Sequence, residues 1–411
     1  MWTVDDALRK LVETITPLSV SQVPLNEAFG LTLGADVVST SDSPPFHKSL
    51  MDGYAIRSAD VAVERTSLRV IETITAGRVP TKPIGPGEAS QIMTGAPLPD
   101  GADAVVKIEE TRRNDDFVVL TGPLPTIGAN LIRRGTSMRA GDCVLTQGLT
   151  LNGARIGALA ELGCAAVPVR RRPRVAVLAT GDELVPVEAV PGPGQIRNSN
   201  ASMLAAQIHA AGGEAIPLGI ARDDRAELAG KIQRGLQFDL LVLSGGVSAG
   251  TLDLVPETLA QAGVQEVFHK IEMKPGKPLW FGKYTSSEIS SDVDGSDSHS
   301  AYVFGLPGNP VSSMVCCEIF VRTAIRRLMG VDPATPQPFF AKLEHDYSTR
   351  ADRPTYHPAC LTWTKEGLSV RLVRWHGSSD LCGTVAANGM VFLSGEAHQF
   401  RVGDCLPSYA W

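Results

Sequence analysis

Short apolar runs that end in glycine-rich or proline-rich loops recur through the middle of this sequence. Residues 240–243 form one such run, which is long enough for a buried strand, too short for a helix, and stops at a Ser-Gly-Gly sequence. Similar runs, each beside such a loop, occupy residues 175–179, 278–281 and 302–305. In an open parallel sheet, loops of this kind lie together at the carboxyl ends of the strands, where ligands bind.

Helical periods separate these strand-like runs. They lie at residues 202–211 and 225–236, and a further strand-like run at 215–218 falls between them. Asp223 and Asp224 precede the second helical period, where they also suit a helix N-terminal cap that has no part in chemistry. Regular alternation of strand and helix predicts a three-layer α/β domain with helices on both faces of the sheet.

The rest of the chain predicts additional domains of different composition. Residues 4–15 carry an apolar helical face, and residues 154–162 return to a helical period, so we expect both helices in one elongated domain. Short β-like runs separated by turns predict an inserted β-domain and, after the α/β segment, a C-terminal β-domain. The predicted divisions are residues 1–53 with 141–172 for the elongated domain, 54–140 for the inserted β-domain, 173–330 for the α/β domain and 331–411 for the C-terminal β-domain.

Residues 285–300 interrupt the α/β pattern with a stretch that is rich in serine and aspartate and nearly free of apolar residues. A segment of this composition cannot bury enough apolar surface to offset the entropy of ordering its backbone. We therefore expect a disordered surface insertion between two strands, with no role in chemistry.

Composition and charge narrow the class of protein. A chain of 411 residues is too long for one core, and its 43% hydrophobic and 20% charged residues are typical of a globular protein. The net charge of −6 argues against a nucleic-acid partner, and the apolar runs are too short to span a membrane. Seven dispersed cysteines indicate reduced thiols, and no signal-peptide pattern is present, so we expect a cytoplasmic location.

The loops of the α/β segment carry groups that suit an anion. Glycines allow backbone N–H groups to approach a ligand closely, and a helix N-terminus adds partial positive charge. Lys270, Lys274 and Lys277 add full positive charges beside the strand-like run at 278–281. The alternative for each loop is a tight turn with solvated lysines.

Carboxylates follow two of the same runs. Asp182 and Glu183 follow the run at 175–179, and Asp253 lies shortly after the run at 240–243. A phosphate would repel these carboxylates unless a hard cation lay between them, and magnesium binds both carboxylates and phosphates. Lysines and carboxylates at one edge of the sheet therefore indicate a magnesium–phosphate ligand.

Two motifs in the first hundred residues have unusual local composition. The run SLMDGYAI is neither a good helix nor a good strand, and Gly53 indicates an unusual backbone beside an exposed Asp52. In QIMTGAP, Thr94 follows a strand-like run and could hydrogen-bond a ligand. Ordinary turns are the alternative interpretation of both motifs.

The C-terminal segment contains a possible oxyanion site. The planar guanidinium of arginine binds tetrahedral oxyanions well, and Arg353 lies in a turn-rich part of this segment. Ser378 follows Gly377 and could donate a hydrogen bond to the same oxyanion. Exposed arginines and a simple turn fit the sequence equally.

Seven motifs occur together in one order: SLMDGYAI, IMTGAPLP, ATGDEL, IARDD, SGGVSAG followed by Asp253, MKPGKP and GLPGNPVS. This set resembles the molybdopterin molybdenumtransferase family, and it is also similar to the E-domain of gephyrin. The resemblance extends through residue 328 by motif, and the length fits from end to end. It implies a multidomain α/β plus β fold, with an inserted β-domain, an elongated α+β domain and a C-terminal β-barrel-like domain.

The resemblance also implies an activity. Adenylated molybdopterin and molybdate would react to give molybdenum cofactor and AMP, with Mg2+ assisting cleavage of the pyrophosphate. It further implies a homodimer whose active-site cleft lies between the sheet domain of one subunit and parts of its partner. The upstream adenylyltransferase and downstream molybdoenzymes would be its partners, and neither nucleic acid nor membrane is expected.

Site residues follow from the motif positions. The resemblance implies catalytic roles for Asp52, Thr94, Glu183, Asp253, Lys270 and Lys274. It implies metal contacts from Glu183, Asp224 and Asp253. It implies substrate contacts from Ser244, Gly245, Gly246, Lys277, Pro307, Pro310, Arg353 and Ser378.

One position departs from the family pattern. The family often has Glu-Asp after the glycine at Gly135, whereas this chain has Thr136 and Ser137. If that aspartate serves the metal or the pyrophosphate, this chain would be slow or would place the metal differently.

Two alternative functions are compatible with the motifs: a molybdopterin adenylyltransferase, which shares the sheet domain, and a non-catalytic dimeric scaffold of the gephyrin type. The match along the whole chain favours the molybdenum-inserting enzyme.

Overall fold

The structure is a computed structural model. It describes residues 1–63, 65–247, 254–286, 299–350, 352–396 and 398–411. The described chain divides into two compact units. Unit 1 comprises Met1–Gly34, Gly148–Asn152 and Ala166–Trp411, and unit 2 comprises Ala35–Gln147 and Gly153–Ala165. The finer division into four domains stays a prediction, and Asp253 lies outside the described residues.

The helices and strands are numbered in chain order. The α-helices are α1 (Val4–Thr14), α2 (Gly153–Glu161), α3 (Ser199–Ala210), α4 (Arg225–Gly235), α5 (Leu254–Gln261), α6 (Pro310–Cys316) and α7 (Arg322–Leu328). A π-helical stretch, Cys317–Val321, joins α6 to α7. Short 3-10 turns occupy Leu25–Glu27, Ser58–Asp60, Ile108–Glu110 and Cys382–Thr384.

The strands fall into three groups along the chain. Up to Arg170 they are β1 (Val20–Pro24), β2 (Thr32–Leu33), β3 (Val37–Val38), β4 (Lys48–Ser49), β5 (Gly53–Ile56), β6 (Ser67–Ile74), β7 (Glu88–Ile92), β8 (Ala104–Lys107), β9 (Thr111–Asn114), β10 (Phe117–Leu120), β11 (Leu131–Ile132), β12 (Cys143–Leu145) and β13 (Ala166–Arg170). The next are β14 (Arg174–Thr180), β15 (Leu184–Val185), β16 (Ile196–Arg197), β17 (Glu214–Ala221), β18 (Leu240–Ser244), β19 (Gln265–His269), β20 (Trp280–Thr285) and β21 (Ser300–Leu306). The last are β22 (Phe339–Leu343), β23 (Tyr347–Ser348), β24 (Thr355–Thr364), β25 (Gly367–Leu372), β26 (Gly389–Leu393), β27 (Gln399–Phe400) and β28 (Cys405–Ala410).

The α/β sheet of unit 1 has the strand order β17-β14-β18-β21-β20-β19. The first four strands are parallel, as the sequence predicts, whereas β20 runs antiparallel to both of its neighbours. The sheet is therefore mixed, with β20 as the reversed strand. Because β20 is reversed, the loop that precedes it, rather than the loop that follows it, lies at the carboxyl edge of the parallel strands.

Helices cover both faces of this sheet, which confirms the three-layer prediction. Val175 and Val177 of β14 lie in one buried cluster with residues of α3, α6 and α7. The alternating residues Ala176 and Leu178 lie in a second cluster with α4 and α5. Successive side chains of a strand point to opposite faces, so a strand buried on both sides reads as a continuous apolar run.

Helix α1 packs in unit 1, and α2 lies in unit 2, while the elongated domain that would contain both stays a prediction. Its residues Ala7 and Leu11 are fully buried in the same cluster as Ala324 and Leu328 of α7. Thr3 caps the helix, because its hydroxyl accepts the Asp6 N–H at 3.1 Å. An amphipathic period predicts that a helix buries one face, but it does not specify the surface against which that face packs.

Unit 2 contains a six-stranded sheet in the order β8-β5-β7-β6-β10-β9. Tyr54, Ile56 and Val106 contribute to the buried cluster on this sheet. The β-rich character of the inserted segment is thus confirmed. The compact unit is larger than residues 54–140, since it begins at Ala35 and includes helix α2.

The C-terminal segment forms a closed five-stranded barrel in the order β22-β25-β24-β26-β28. Its interior is filled by apolar residues such as Ala341, Val370 and Val391, which are fully buried. This confirms the predicted β-barrel-like domain. The start of β24 extends toward the α/β sheet, because Thr355 forms a parallel bridge with Lys274.

Strands β20 and β21 form the hairpin that carries the Ser/Asp-rich stretch. Their pairing reaches Thr285 and Ser300, and the Ser286 N–H donates to the His299 carbonyl at 2.9 Å. The predicted insertion is therefore shorter than 285–300, and residues 287–298 lie outside the described residues. No helix among the residues that the structure describes is long and apolar enough to cross a membrane.

Candidate functional site

Loops from six strands meet at one edge of the unit 1 sheet. The Gly181 N–H after β14 donates to the last carbonyl of β17 at 3.1 Å, and the Gly245 N–H after β18 donates to the last carbonyl of β21 at 3.0 Å. The loop between β19 and β20 lies at the same edge, since Trp280 pairs with Gly305 and with His269. The topology of unit 1 therefore confirms that these loops lie at the same edge of the sheet.

The chain order of the sheet reverses between β14 and β18, because β17 lies on one side of β14 and β18 on the other. The carboxyl ends of strands at such a switch point form a crevice in which α/β proteins bind ligands. Glu183 follows β14 here, Ser244 is the last residue of β18, and Gly245 and Gly246 come directly after it. The structure therefore places these four predicted residues at the switch point.

Gly245 and Gly246 have backbone conformations that favour glycine, with φ angles of +100° and +68°. A Cβ atom on Gly245 would lie 2.8 Å from the Thr180 carbonyl oxygen. A Cβ atom on Gly246 would lie 2.5 Å from the Val255 Cγ2 atom. Side chains are thus excluded by space as well as by conformation, which keeps this turn tight against β14.

The three predicted lysines share the loop between β19 and β20. This loop is closed by hydrogen bonds from Lys270 N–H to the Leu279 carbonyl at 3.0 Å and from Ile271 N–H to the Lys277 carbonyl at 2.9 Å. Three ammonium groups on one short closed loop create a concentrated positive charge at the sheet edge.

Lys274 connects this loop to the barrel. Its N–H donates to the Pro354 carbonyl, and its own carbonyl accepts the Tyr356 N–H, both at 2.8 Å. Arg353 therefore precedes the residue to which Lys274 is bonded, and its Nε atom lies 3.4 Å from Asp352 Oδ1, whereas a shared oxyanion site of Arg353 and Ser378 stays a prediction. The backbone N–H of Asp352, then Arg353 and Lys274, lower the pKa of the Asp352 carboxyl, which indicates the positive charge of this segment.

Ser378 lies against the loop that follows β21. Its carbonyl accepts the Val311 N–H at 3.0 Å, and its Oγ is 3.0 Å from Asn309 Nδ2. Pro310 is the first residue of α6, and the Pro307 carbonyl accepts the Ser313 hydroxyl. The fold thus brings the predicted residues Pro307, Pro310 and Ser378 together although they are distant in sequence.

Asn200 is at this edge but was missed from the sequence. Its side-chain nitrogen donates to Ser244 Oγ and to the Gly308 carbonyl, both at 2.8 Å. Asn198 caps α3, and in the sequence an asparagine two positions later is typical of a helix N-terminus. The sequence signal that could have indicated a role for Asn200 was the pair Asn198 and Asn200, because only one of two such asparagines can cap the helix.

The predicted metal ligands are only partly described. Asp224 caps α4, since its Oδ1 accepts the Glu227 N–H at 2.8 Å, which confirms the capping alternative. Glu183 is exposed after β14, and Asp253 lies outside the described residues. Within the described ranges, no group of three or more His, Cys, Asp or Glu side chains is arranged to hold a metal ion. The magnesium site therefore stays a prediction.

Unit 2 brings the other two predicted residues together. Asp52 Oδ1 accepts hydrogen bonds from the Thr94 N–H and the Thr94 hydroxyl, both at 2.7 Å. These two bonds lower the pKa of the Asp52 carboxyl, with the backbone donor as the larger cause. Gly53 allows the close packing beside it, because a Cβ atom there would lie 2.0 Å from the Val106 carbonyl oxygen.

The segment that departs from the family pattern is also in unit 2. Thr136 donates its hydroxyl to the Arg133 carbonyl at 2.6 Å, which closes a local turn. Asp42 joins this turn to the residues that follow it, because it pairs with Arg134 at 2.5 Å and accepts the Ala140 N–H at 3.0 Å. The Ala140 bond, followed by the Arg134 bond, lowers the pKa of the Asp42 carboxyl.

Comparisons with known proteins identify the family of this chain. The family model described as "MoeA N-terminal region (domain I and II)" matches residues 2–163, and the one described as "Probable molybdopterin binding domain" matches residues 176–327. A molybdopterin molybdenumtransferase of Staphylococcus epidermidis is 33% identical over 407 residues, which cover 98% of this chain and 94% of the relative. This chain belongs to the molybdopterin molybdenumtransferase family. A Staphylococcus aureus member is 34% identical over 408 residues, covering 97% of this chain and 93% of the relative.

Solved structures of the molybdopterin molybdenumtransferase fold are similar over the whole length. A molybdopterin biosynthesis MoeA protein from Pyrococcus horikoshii has a TM-score of 0.82 and 26% identity, and covers 100% of both chains. A second structure from this organism has a TM-score of 0.80 and 28% identity, covering 99% of this chain and 98% of the other. The family is one of transferases in molybdenum cofactor biosynthesis, which confirms the enzyme class predicted from the motifs.

Proposed function

We propose that this protein inserts molybdenum from molybdate into adenylated molybdopterin and releases AMP. One observation carries the proposal: in a member of this family, glycine loops and a lysine-bearing loop lie along one edge of the unit 1 sheet, and the segments of Arg353 and Ser378 are hydrogen-bonded to two of the loops at that edge. A substrate with a pyrophosphate and a second oxyanion matches that combination of donors. Binding both substrates at one edge would convert their encounter into a reaction within one complex.

The pyrophosphate is assigned to the turn at Gly245 and Gly246 and to the lysine loop. Close approach of backbone is possible at both glycines because neither carries a side chain. Lys270, Lys274 and Lys277 would hold the bridging phosphates and stabilise the charge that develops as the phosphate bond breaks. Cleavage of the pyrophosphate consumes one water molecule, so that one phosphate stays on the pterin product and the other leaves from the same crevice in AMP.

Molybdate is assigned to Lys274, Arg353 and Ser378. Molybdate is a tetrahedral dianion, which a planar guanidinium, an ammonium and a hydroxyl can bind together. Two observations support this assignment: the backbone bonds of Lys274 with Pro354 and Tyr356, which flank the segment after Arg353, and the bond from Asn309 to the Ser378 hydroxyl. The barrel would thus contribute to molybdate selection.

A magnesium ion fits the chemistry of the acidic residues at this edge. Mg2+ binds through one or two carboxylates together with substrate phosphates and water, and the exposed Glu183 and the second oxygen of Asp224 are hard oxygen ligands of that kind. When bound, the ion would neutralise phosphate charge. Asp253 is the third carboxylate of the predicted set.

The remaining parts of the proposal concern unit 2, assembly and location. We assign Asp52 and Thr94 to the same reaction, since their bond keeps a charged carboxylate in one orientation. We propose a homodimer that takes its substrate from the upstream adenylyltransferase and supplies molybdoenzymes. The seven cysteines are all free thiols, which supports a reducing, cytoplasmic location.

Turnover tests the proposal directly. Purified protein is incubated with adenylated molybdopterin, molybdate and MgCl2, and AMP is measured by chromatography, with a reaction lacking molybdate as the control. Molybdate-dependent AMP release is the expected result. Formation of adenylated pterin from molybdopterin and ATP would indicate the adenylyltransferase instead, and absence of both activities in a folded protein would indicate the scaffold.

A further inference from the structure

We infer that Asn200 is a positioning residue that sets the spacing of the two loops around the phosphate-binding turn. The inference rests on the proposed function, because it assigns Asn200 to the same site. Its carboxamide joins the end of β18 to the loop after β21 through Ser244 Oγ and the Gly308 carbonyl, both 2.8 Å from Nδ2. Both N–H groups of the amide are therefore used in this link.

The two loops joined by Asn200 are already in close contact. A Cβ atom on Gly308 would lie 3.7 Å from the Gly245 Cα, and the Gly245 N–H donates to the Leu306 carbonyl at 3.0 Å. Ser244, which accepts from Asn200, is only 3% exposed. A hydrogen bond from a helix to such a buried hydroxyl restrains the start of the turn from the face of the sheet that α3 covers.

Helix α3 gives Asn200 a rigid support. Asn198 accepts the Ala201 N–H at 3.1 Å and so fixes the first turn of the helix. Leu204 and Ile208 are fully buried beneath it against the sheet. The Asn200 amide is therefore held by a helix that is packed on the sheet, so its position does not depend on the ligand.

The chemistry of the link requires two donors. Alanine removes both hydrogen bonds and leaves the Gly308 carbonyl and Ser244 hydroxyl unlinked. Aspartate has nearly the same shape, but its carboxylate would face the Gly308 carbonyl oxygen and would add negative charge beside the phosphate site. Asparagine at position 200 is therefore the residue that joins the loops without repelling an anion.

The test uses the full-length protein, AMP as the probe and amide hydrogen exchange as a second measurement. We expect Asn200→Ala to weaken AMP binding about 10-fold, equivalent to about 1.4 kcal/mol, and Asn200→Asp to weaken it further. We also expect faster exchange of the Gly245 amide in both variants. In turnover, the KM for adenylated molybdopterin should rise while the KM for molybdate changes little.

Gln207→Ala is the matched control, because it removes a carboxamide of the same helix whose nitrogen donates to the Met314 carbonyl at 3.1 Å and to Glu318 at 2.8 Å. It should lower the free energy of unfolding by about 1 kcal/mol and leave AMP affinity unchanged. Equal AMP affinity and equal Gly245 exchange in wild type and Asn200→Ala would overturn the inference. Wild-type protein that neither binds AMP nor releases it would instead contradict the proposed function, while the exchange experiment would still decide the role of Asn200.

Discussion

The Oδ1 atom of Asp52 lies 2.7 Å from both the backbone nitrogen and the hydroxyl oxygen of Thr94. One carboxylate oxygen thus accepts two hydrogen bonds from a single residue that lies in a different motif. Such bonds favour the charged form of the carboxyl and hold it in one orientation. Asp52 is therefore ionised and aligned at neutral pH before any substrate arrives.

The first prediction concerns pH. The folded pKa of Asp52 is lowered below the ordinary value of about 3.9, so its stabilising effect is fully present above that value and is lost as pH falls through the lowered pKa. In Thr94→Val the hydroxyl bond is absent, and the Asp52 pKa should move up toward the ordinary value. Thr94→Ser, which keeps the hydroxyl, should retain the lowered pKa. NMR titration of the Asp52 carboxyl measures both, and an identical pKa in the valine variant would contradict this account.

The second prediction concerns the charge of Asp52. Asp52→Ala should reduce AMP release at least about 100-fold, because an oriented charge in the reaction is removed, while the protein stays folded. Asp60→Ala is the control, since this carboxylate also accepts a backbone N–H in unit 2, from Gly87, at 3.0 Å. It should keep nearly full activity. Wild-type turnover in Asp52→Ala would refute the assigned role.

The third prediction concerns the lysine loop. Lys274→Ala should also reduce AMP release at least about 100-fold, because the backbone bonds of residue 274 persist and only the ammonium is lost. Lys283→Ala is the matched control on β20, where this ammonium lies 5.9 Å from the Tyr302 ring centre. The rate of AMP release is compared between the two variants and wild type at saturating molybdate and as a function of molybdate concentration. Equal rates in both variants would show that the charge at position 274 is not needed.

The fourth prediction concerns the turn after β18. Gly246→Ala combines a φ of +68° with a contact of 2.5 Å to Val255 Cγ2, so it should lower the free energy of unfolding by about 1–3 kcal/mol and weaken AMP binding. Gly230→Ala in α4 is the control, because no atom lies within 4 Å of its added Cβ. That variant should be as stable as wild type or up to about 1 kcal/mol more stable. Urea denaturation measures the unfolding midpoints of Gly246→Ala and Gly230→Ala. Equal midpoints for the two variants would show that the turn does not require glycine.

The fifth prediction concerns the Ser/Asp-rich insertion. The sequence predicts that deleting residues 286–298 leaves activity unchanged. Because Ser286 still pairs with His299 across the hairpin, the deletion is best made as residues 287–298 replaced by Asn-Gly, which favours a tight turn. AMP release and thermal stability should both match wild type. A large loss of turnover in a folded variant would show that the segment takes part in the reaction.

Local pattern was sufficient to predict much of the fold. The buried strands β14, β18 and β21, the cap at Thr3 and the β-rich C-terminal segment all follow from the order of apolar, glycine and capping residues. The position of the predicted loops at one sheet edge follows as well, because parallel strands with helical connections end at the same side. These features depend on residues that are near one another in the chain.

Other features were decided only by the tertiary structure. The reversal of β20, the packing of α1 on α7 and the hydrogen bonds of Asn200 and Ser378 each depend on a partner far away in sequence. Apolar periodicity predicts that one face of a helix or strand is buried, and a polar side chain indicates that a hydrogen bond is possible. Neither specifies the residue that packs against that face or shares that hydrogen bond. The sequence by itself therefore determined which loops carry the chemistry, whereas three-dimensional packing determined which side chains hold those loops together.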